Sequence, residues 1–171
     1  MSQMIKSTFW LAILALVVSC SSTTSEPESY ESIPWVSISD VEQLVKKNPK
    51  KVLVDVYTPW CGPCKMMDRN TFTDQTVINT VGKNFYPVKF NAEGPEQVQF
   101  LGKAYNNPSY NPARANTRNS KHQLTPYFGA RRYPCMVILD ENMKVIDRIL
   151  GYKTPDQFLA ALNKYDLLGM N

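Results

Sequence analysis

The chain has few of the residues that bind structural metal ions. It contains four cysteines and a single histidine in 171 residues, and only Cys61 and Cys64 lie at the spacing of a ligand pair. A structural zinc site normally needs four cysteine or histidine ligands, usually as two such pairs. The other candidates, Cys20, His122 and Cys135, have no partner at that spacing. We therefore predict that the chain binds no metal ion.

Concentrated positive charge is also lacking. The formal net charge is only +4, the sequence has no run of basic residues, and its aromatic residues are scattered. A nucleic-acid-binding face normally carries clustered lysine and arginine, so we expect no nucleic-acid partner and interpret the charge as favouring solubility. With 43% hydrophobic residues, the chain is long enough for one domain with a proper core.

No apolar run is long enough to span a bilayer as a helix. The apolar run at 9–18 is about half the length that a membrane-spanning helix needs. It follows Lys6 and ends in Val-Val-Ser-Cys at 17–20, which resembles a bacterial lipobox. A basic residue followed by a short apolar run is typical of a secretory signal. We expect 1–20 to be a lipoprotein signal peptide with Cys20 lipidated; the alternative is an ordinary secretory signal.

The segment after Cys20 is predicted to connect the lipid anchor to the domain. Residues 21–34 are expected to form a flexible tether, because 21–32 are polar, acidic and without periodicity. The domain would then be lipid-anchored on the periplasmic side of a bacterial membrane. The residue after Cys20 is Ser21 and not an aspartate. By resemblance to the sorting of enterobacterial lipoproteins, the absence of an aspartate at this position favours the outer membrane.

The most specific pattern is Trp-Cys-Gly-Pro-Cys-Lys at 60–65. It follows a β-branched run at 52–57, typical of a strand buried on both faces, and it precedes good helix formers. Pro63 suits a first helical turn, where its missing N–H is not needed. Cys61 is therefore predicted at a helix N-terminus, which favours a thiolate. Such a thiolate can attack a disulfide, and Cys64 can resolve the mixed disulfide.

These residues strongly resemble the active site of the thioredoxin family, and the resemblance extends from about residue 35 to 165. It implies an α/β thioredoxin fold, in which helices flank a central mixed β-sheet, with a domain at 35–168. It also implies a thiol–disulfide oxidoreductase with a redox-active Cys61–Cys64 disulfide. No cofactor is expected, because the dithiol is itself the redox group.

The resemblance also implies roles for individual residues. Asp55 matches a buried aspartate that takes and returns the proton of the second cysteine, and burial should raise its pKa; the alternative is a carboxylate that faces water. Lys89 falls where thioredoxins place a lysine near this aspartate, or it faces solvent. Pro134 matches the family's cis-proline, which Tyr133 precedes. The predicted site residues are Cys61, Cys64 and Asp55 as catalytic groups, and Trp60, Gly62, Pro63, Tyr133 and Pro134 as substrate-binding groups.

Two features depart from the family pattern. Residues 106–130 form an insertion before the cis-proline strand and show little hydrophobic periodicity. The insertion is either a lid or docking surface beside the dithiol or a segment with only local packing. His122 within it is given no catalytic role. Cys135 is either a buried, small hydrophobic residue or a third thiol near the active site.

Local signals predict further elements. Ser39 and Glu42 form a capping-box pattern that predicts a helix at 40–47, after a short edge strand at 35–38. A strand is predicted at 85–91 and a helix at 95–105. A second capping box predicts a final helix that begins at Pro155.

The function that follows is an extracytoplasmic thiol–disulfide oxidoreductase that acts on protein disulfides. Gly62 and Pro63 between the cysteines resemble the reducing thioredoxins, yet the compartment is oxidising. A reductant there needs electrons from a membrane relay protein, which we predict as a partner of a monomeric enzyme. The alternatives are a disulfide oxidase or isomerase, and a non-catalytic module that uses the fold to hold a partner.

Overall fold

The computed structural model describes residues 29–166, which form a four-stranded mixed β-sheet with helices on both faces and a separate two-stranded hairpin. In chain order the elements are α1 (Val41–Lys47), β1 (Lys51–Tyr57), α2 (Gly62–Met66), a π-helical segment (Met67–Thr71), α3 (Gln75–Asn84), β2 (Phe85–Asn91), β3 (Val98–Phe100), β4 (Lys103–Tyr105), a 3-10 turn (Pro112–Arg114), α4 (Thr125–Phe128), β5 (Cys135–Leu139), β6 (Val145–Leu150) and α5 (Pro155–Asp166). The signal peptide, Cys20 and most of the predicted tether lie outside the described residues.

The sheet has the strand order β2-β1-β5-β6, with β1 parallel to β2 and antiparallel to β5. Five consecutive residues of β1, 52–56, are buried, because other strands cover both its edges and helices cover both its faces. This confirms the doubly buried strand expected from its β-branched run. The mixed sheet and its flanking helices are the predicted thioredoxin fold.

Two hydrophobic clusters lie on opposite faces of the sheet, since alternate side chains of a strand point to opposite faces. Val54 packs with α1, α4 and the β3–β4 hairpin. Leu53 packs with α3 and α5. Asp55, two residues after Leu53, is therefore directed to the same face as Leu53 at the end of β1.

The predicted helix at 95–105 is wrong, because this segment is the β3–β4 hairpin. Val98 and Phe100 are buried while Gln99 between them is exposed, which is the two-residue period of a strand. Leu101 and Gly102 connect the strands with positive φ angles of 50° and 70°, as two-residue hairpin turns require.

The capping box predicted for α1 is also wrong. The helix begins at Val41, one residue later than predicted, and its N-cap Asp40 makes no side-chain capping bond. The Ser39 hydroxyl instead accepts a hydrogen bond from the backbone N–H of Gln99, and the Glu42 carboxylate accepts one from that of Leu101. Both side chains thus anchor the β3–β4 hairpin to α1.

Other local predictions are confirmed. Strand β2 has the predicted bounds. Helix α5 begins at Pro155, and the backbone N–H groups of Thr154 and Gln157 donate to each other's side chains at 3.2 and 3.4 Å. The expected edge strand at 35–38 is reduced to a single bridge between Val36 and Val88. Within residues 29–166 no helix is long and apolar enough to cross a membrane.

The insertion at 106–130 is partly built into the core. Leu124 and Phe128 of this segment are fully buried, and the Phe128 ring contacts the Phe90 ring edge-on at 5.2 Å between centroids. His122 is buried as well, with Nε2 2.8 Å from the Glu96 carbonyl oxygen and Nδ1 accepting the N–H of Leu124. Its ring is therefore a structural link within the fold.

Truncating Phe128 tests whether the insertion belongs to the core. We expect Phe128→Ala to lower the free energy of unfolding by about 3–5 kcal/mol, because it removes a fully buried ring and leaves a cavity. The matched control is Ile146→Ala on β6, where a largely exposed side chain should cost about 1 kcal/mol or less. Urea unfolding measures both. If Phe128→Ala lowered the free energy of unfolding by no more than Ile146→Ala does, the insertion would pack only locally.

Candidate active site

Cys61 and Cys64 are joined by a disulfide at the point where β1 gives way to α2. The chain turns after β1 through a hydrogen bond from the Cys61 N–H to the Thr58 carbonyl. Cys61 is the N-cap residue of α2, and its Sγ accepts the N–H of Cys64 at 3.1 Å. A thiolate at Cys61 would meet the same N–H and the positive end of the helix dipole, which stabilise negative charge. Both cysteines are nearly inaccessible to solvent, whereas Gly62 and Pro63 between them are exposed.

The segment before β5 brings the second part of the site to the dithiol. The Tyr133–Pro134 peptide bond is cis, as the resemblance implied. The pairing of Val56 with Cys135 places Pro134 at the end of β1 from which the cysteine loop leaves. The Tyr133 ring packs edge-on against the Trp60 ring at 6.0 Å between centroids. Two of the predicted substrate-binding side chains therefore lie together.

Asp55 is buried, with 2% of its surface exposed, so the alternative of a carboxylate facing water is wrong. Its Oδ2 lies 3.9 Å from the Lys89 Nζ, and its Oδ1 has no hydrogen-bond partner among the described residues. Burial raises the pKa of Asp55 to about 7, with Asp68 adding to the rise and Lys89 opposing it. A carboxyl group that titrates near neutrality can both accept and return a proton at physiological pH.

Lys89 links Asp55 to a surface carboxylate that the sequence analysis missed. Its ammonium lies between the two carboxylates, near that of Asp55 and in a close ion pair with that of Asp68. The rings of Trp35 and Tyr57 lie 5.4 and 5.2 Å from the same nitrogen. The predicted proximity of Lys89 to Asp55 is confirmed. Asp68 stands four residues after a cysteine on a helical segment, and that spacing could have indicated that it shares the cysteine's face.

Glu93 is a second residue that the sequence analysis missed. It is buried, and its Oε2 accepts hydrogen bonds from the Trp60 Nε1–H at 2.7 Å and from the Asn119 N–H at 2.8 Å. The Arg118 guanidinium lies over the Trp60 ring, 4.4 Å from its centroid. Glu93 thus fastens the insertion to the cysteine motif. The parallel pairing of β1 and β2 was the available signal, because it puts residues just after both strands at one sheet edge.

Residues 39–166 match the family described as the thioredoxin-like domain. The chain belongs to the thioredoxin-like family of thiol–disulfide oxidoreductases. It is 30% identical over 156 residues to the thiol:disulfide interchange protein DsbD of Haemophilus ducreyi, covering 87% of this chain and 23% of that protein. DsbD of Actinobacillus pleuropneumoniae is 28% identical over 125 residues, 72% of this chain and 18% of that protein. The chain thus spans about a quarter or less of these relatives.

Solved structures agree on the fold. A thioredoxin from Thermus thermophilus superposes with a TM-score of 0.59 at 17% identity, covering 81% of this chain and 91% of that one. A disulphide-isomerase homologue from Bacteroides thetaiotaomicron gives 0.53 at 20% identity, covering 79% and 94%. At these identities the likeness shows the thioredoxin fold alone.

Cys135, directly after the cis-proline, is one of the two departures from the thioredoxin family pattern. The thiol is free and buried at the start of β5. Burial raises its pKa to about 11, while Arg148 opposes the rise and Asp55 adds to it. A protonated thiol is a poor nucleophile, which supports the interpretation of Cys135 as a small hydrophobic residue. Across residues 29–166, no three histidine, cysteine or acidic side chains are grouped so that they could hold a metal ion.

Replacing Asp55 by asparagine tests the raised pKa. The carboxyl has an ordinary pKa of 3.8 and a folded value of about 7, so the folded state binds its proton more tightly than the unfolded state. Asp55 therefore favours folding most below about pH 4, and this contribution is lost as the pH rises to about 7. At about 1.4 kcal/mol per pH unit, Asp55→Asn should stabilise the protein by up to about 4 kcal/mol at pH 8 relative to pH 4.

Urea unfolding at both pH values measures this difference. The same substitution at Asp156, which is exposed in the first turn of α5, should change the stability by less than about 1 kcal/mol at either pH. An Asp55→Asn effect that is equal at pH 4 and pH 8 would contradict the raised pKa.

Proposed function

We propose that the protein is an extracytoplasmic thiol–disulfide oxidoreductase that reduces protein disulfides with its Cys61–Cys64 dithiol. The observation that carries this proposal is the arrangement of three groups at one sheet edge. A disulfide lies at the start of a helix, Asp55 with a pKa of about 7 lies at the end of the preceding strand, and Tyr133 with its cis-proline faces the cysteine loop.

The reaction begins with the reduced dithiol. The Cys61 thiolate attacks one sulfur of the substrate disulfide, so that a new S–S bond forms as the substrate bond breaks. One substrate sulfur leaves as a thiolate, and the other remains joined to Cys61 in a mixed disulfide. The helix start favours Cys61 for this step, because the Cys64 N–H points at its sulfur and stabilises the thiolate.

Cys64 completes the reaction. The Asp55 carboxylate takes the proton of the Cys64 thiol, directly or through a water molecule, and the resulting thiolate attacks the sulfur of Cys61. The Cys61–Cys64 disulfide forms, and the second substrate sulfur leaves as a thiolate that takes up a proton. Two electrons pass from the protein to the substrate. A carboxyl with a pKa of about 7 suits this role, because it is readily ionised at neutral pH yet basic enough to take the proton.

Regeneration requires an external dithiol donor. In an oxidising compartment the donor must draw electrons from elsewhere, so we propose a membrane electron-relay protein as the partner. The name of the two bacterial relatives, thiol:disulfide interchange protein, supports exchange of this kind. The signal-like segment at 1–20 supports export and a lipid anchor at Cys20, with the outer membrane favoured.

The reduction potential tests the direction. We expect the Cys61–Cys64 couple to lie near thioredoxin's, about −270 mV, because Gly-Pro separates the cysteines as in reducing thioredoxins. Equilibration in glutathione or dithiothreitol buffers of graded composition, followed by mass spectrometry of alkylated thiols, measures the reduction potential. Cys61→Ser is the matched control and should show no two-electron couple. A value near −120 mV would make the protein an oxidant, and the absence of a reversible couple would leave only the binding module.

Trapping tests the order of attack. In reduced Cys64→Ser protein we expect a disulfide substrate to accumulate as a mixed disulfide with Cys61, because the resolving thiol is missing. Intact-mass spectrometry measures the mixed disulfide. The matched Cys61→Ser variant should form little mixed disulfide through its remaining cysteines. Equal adducts in both variants would show that either cysteine attacks first, or that Cys135 reacts, and would contradict the assigned roles.

A further inference from the structure

A cleft of about 310 Å³ beside the dithiol is lined largely by positive charge. Four of its lining side chains are exposed cations, namely Arg118, Lys121, Arg131 and Arg132. Trp60, Tyr133 and Glu93 complete the lining. We call this surface the basic cleft.

The charges of the basic cleft are not neutralised within the described part of the chain. The ion pairs there use the cations Lys51, Lys89 and Lys164, and none of the four cations of the cleft has a carboxylate within ion-pair distance. Glu93 is the one acidic lining residue, but it is buried and its Oε2 accepts from both Trp60 and Asn119. The cleft therefore presents a net positive surface.

The position of the cleft ties it to the redox step. Arg118 is stacked on Trp60, which directly precedes Cys61. Arg132 directly precedes Tyr133 and the cis-proline. A substrate whose disulfide reaches Cys61 must lie against these two segments, so its neighbouring residues meet the cations first.

The positive surface extends beyond the basic cleft and is too long for a single small anion to cover. A second depression, about 360 Å³ in volume, shares Arg131 and Arg132 with the basic cleft and continues to Arg148. Arg148 donates to the Phe128 carbonyl at 2.6 Å through Nε, which holds it at this end. A surface with cations spread along two adjoining depressions fits several negative charges on an extended chain.

We propose that the basic cleft binds an acidic segment next to the disulfide of the protein's substrate, which the Cys61 thiolate attacks. This proposal rests on the proposed function and names the class of its substrate. A single exposed ion pair is weak, but several cations of one sign raise the rate at which an oppositely charged chain associates, and salt screens the effect.

Two synthetic peptides test the proposal with the unmodified protein. Both contain the same intramolecular disulfide, flanked by about four glutamates in one and by the same number of glutamines in the other. At low ionic strength we expect the second-order rate constant of the reduced protein, measured over a single turnover, to be about tenfold larger for the acidic peptide. In about 0.5 M salt the two rates should agree within about twofold, because screening removes the attraction.

Paired variants locate the effect. Arg131→Gln combined with Arg132→Gln should lower the acidic-to-neutral ratio to below about threefold, since it removes two cleft cations. Lys46→Gln combined with Lys47→Gln changes the net charge equally, but at the end of α1, which leads into the opposite end of β1, and it should leave the ratio unchanged. An equal loss of preference in both double variants would overturn the cleft as the binding site.

A small uncharged disulfide, hydroxyethyl disulfide, separates this proposal from the proposed function. If the protein reduces it and both peptides react equally at low salt, the basic cleft does not select acidic chains and the proposal is wrong while the activity stands. If the protein reduces neither the small disulfide nor the peptides, the proposed function fails and the substrate class falls with it.

Discussion

The burial of one carboxyl group in the central strand is the constraint on which the site depends. Asp55 can be shielded from water only because β1 is covered at both edges and on both faces. Removing a carboxylate from water disfavours its charged form, and this sets its pKa near 7. Lys89 lies close enough to oppose the shift, but it also pairs with Asp68 and so only partly compensates the burial. The same strand that holds the core together thus carries a carboxyl group that titrates near neutrality.

The sheet topology gathers the rest of the site at one edge. Because β1 and β2 are parallel, the loop with Cys61 and the residue Glu93 leave the sheet at the same edge. Because β5 is antiparallel to β1, it begins where β1 ends, and this brings Tyr133 to Trp60. Glu93 then joins the insertion to the same loop through the Asn119 N–H. Three segments far apart in sequence meet around one disulfide.

The sequence predicted what local patterns encode and missed what tertiary contacts decide. Strand β1, strand β2 and the start of α5 have their signals within the element itself. At 95–105 the apolar spacing of Val98, Phe100 and Leu101 fits a helical face as well as a strand, and the glycine that permits the turn is the local sign against a helix. The capping pattern at Ser39 failed because a distant hairpin occupies the same oxygen. Glu93 meets Trp60 and Asn119 only in the folded chain, so no local pattern pairs them.

The reaction and the substrate proposed above assign the two kinds of charge at this site to different steps, and the two respond to different conditions. Asp55 is buried, so salt screens it weakly, and its ionisation follows pH near neutrality. The cations of the basic cleft are exposed, so salt screens them strongly. Their attraction is screened over about 10 Å at 0.1 M salt. In the proposed reaction, a change of rate with salt at fixed pH therefore reflects the encounter with the acidic substrate, while a change with pH at high salt reflects the proton transfer around the cysteines. The fold separates the two kinds of charge by burying the Asp55 carboxyl group inside the sheet and leaving the cations exposed on the insertion and the rim.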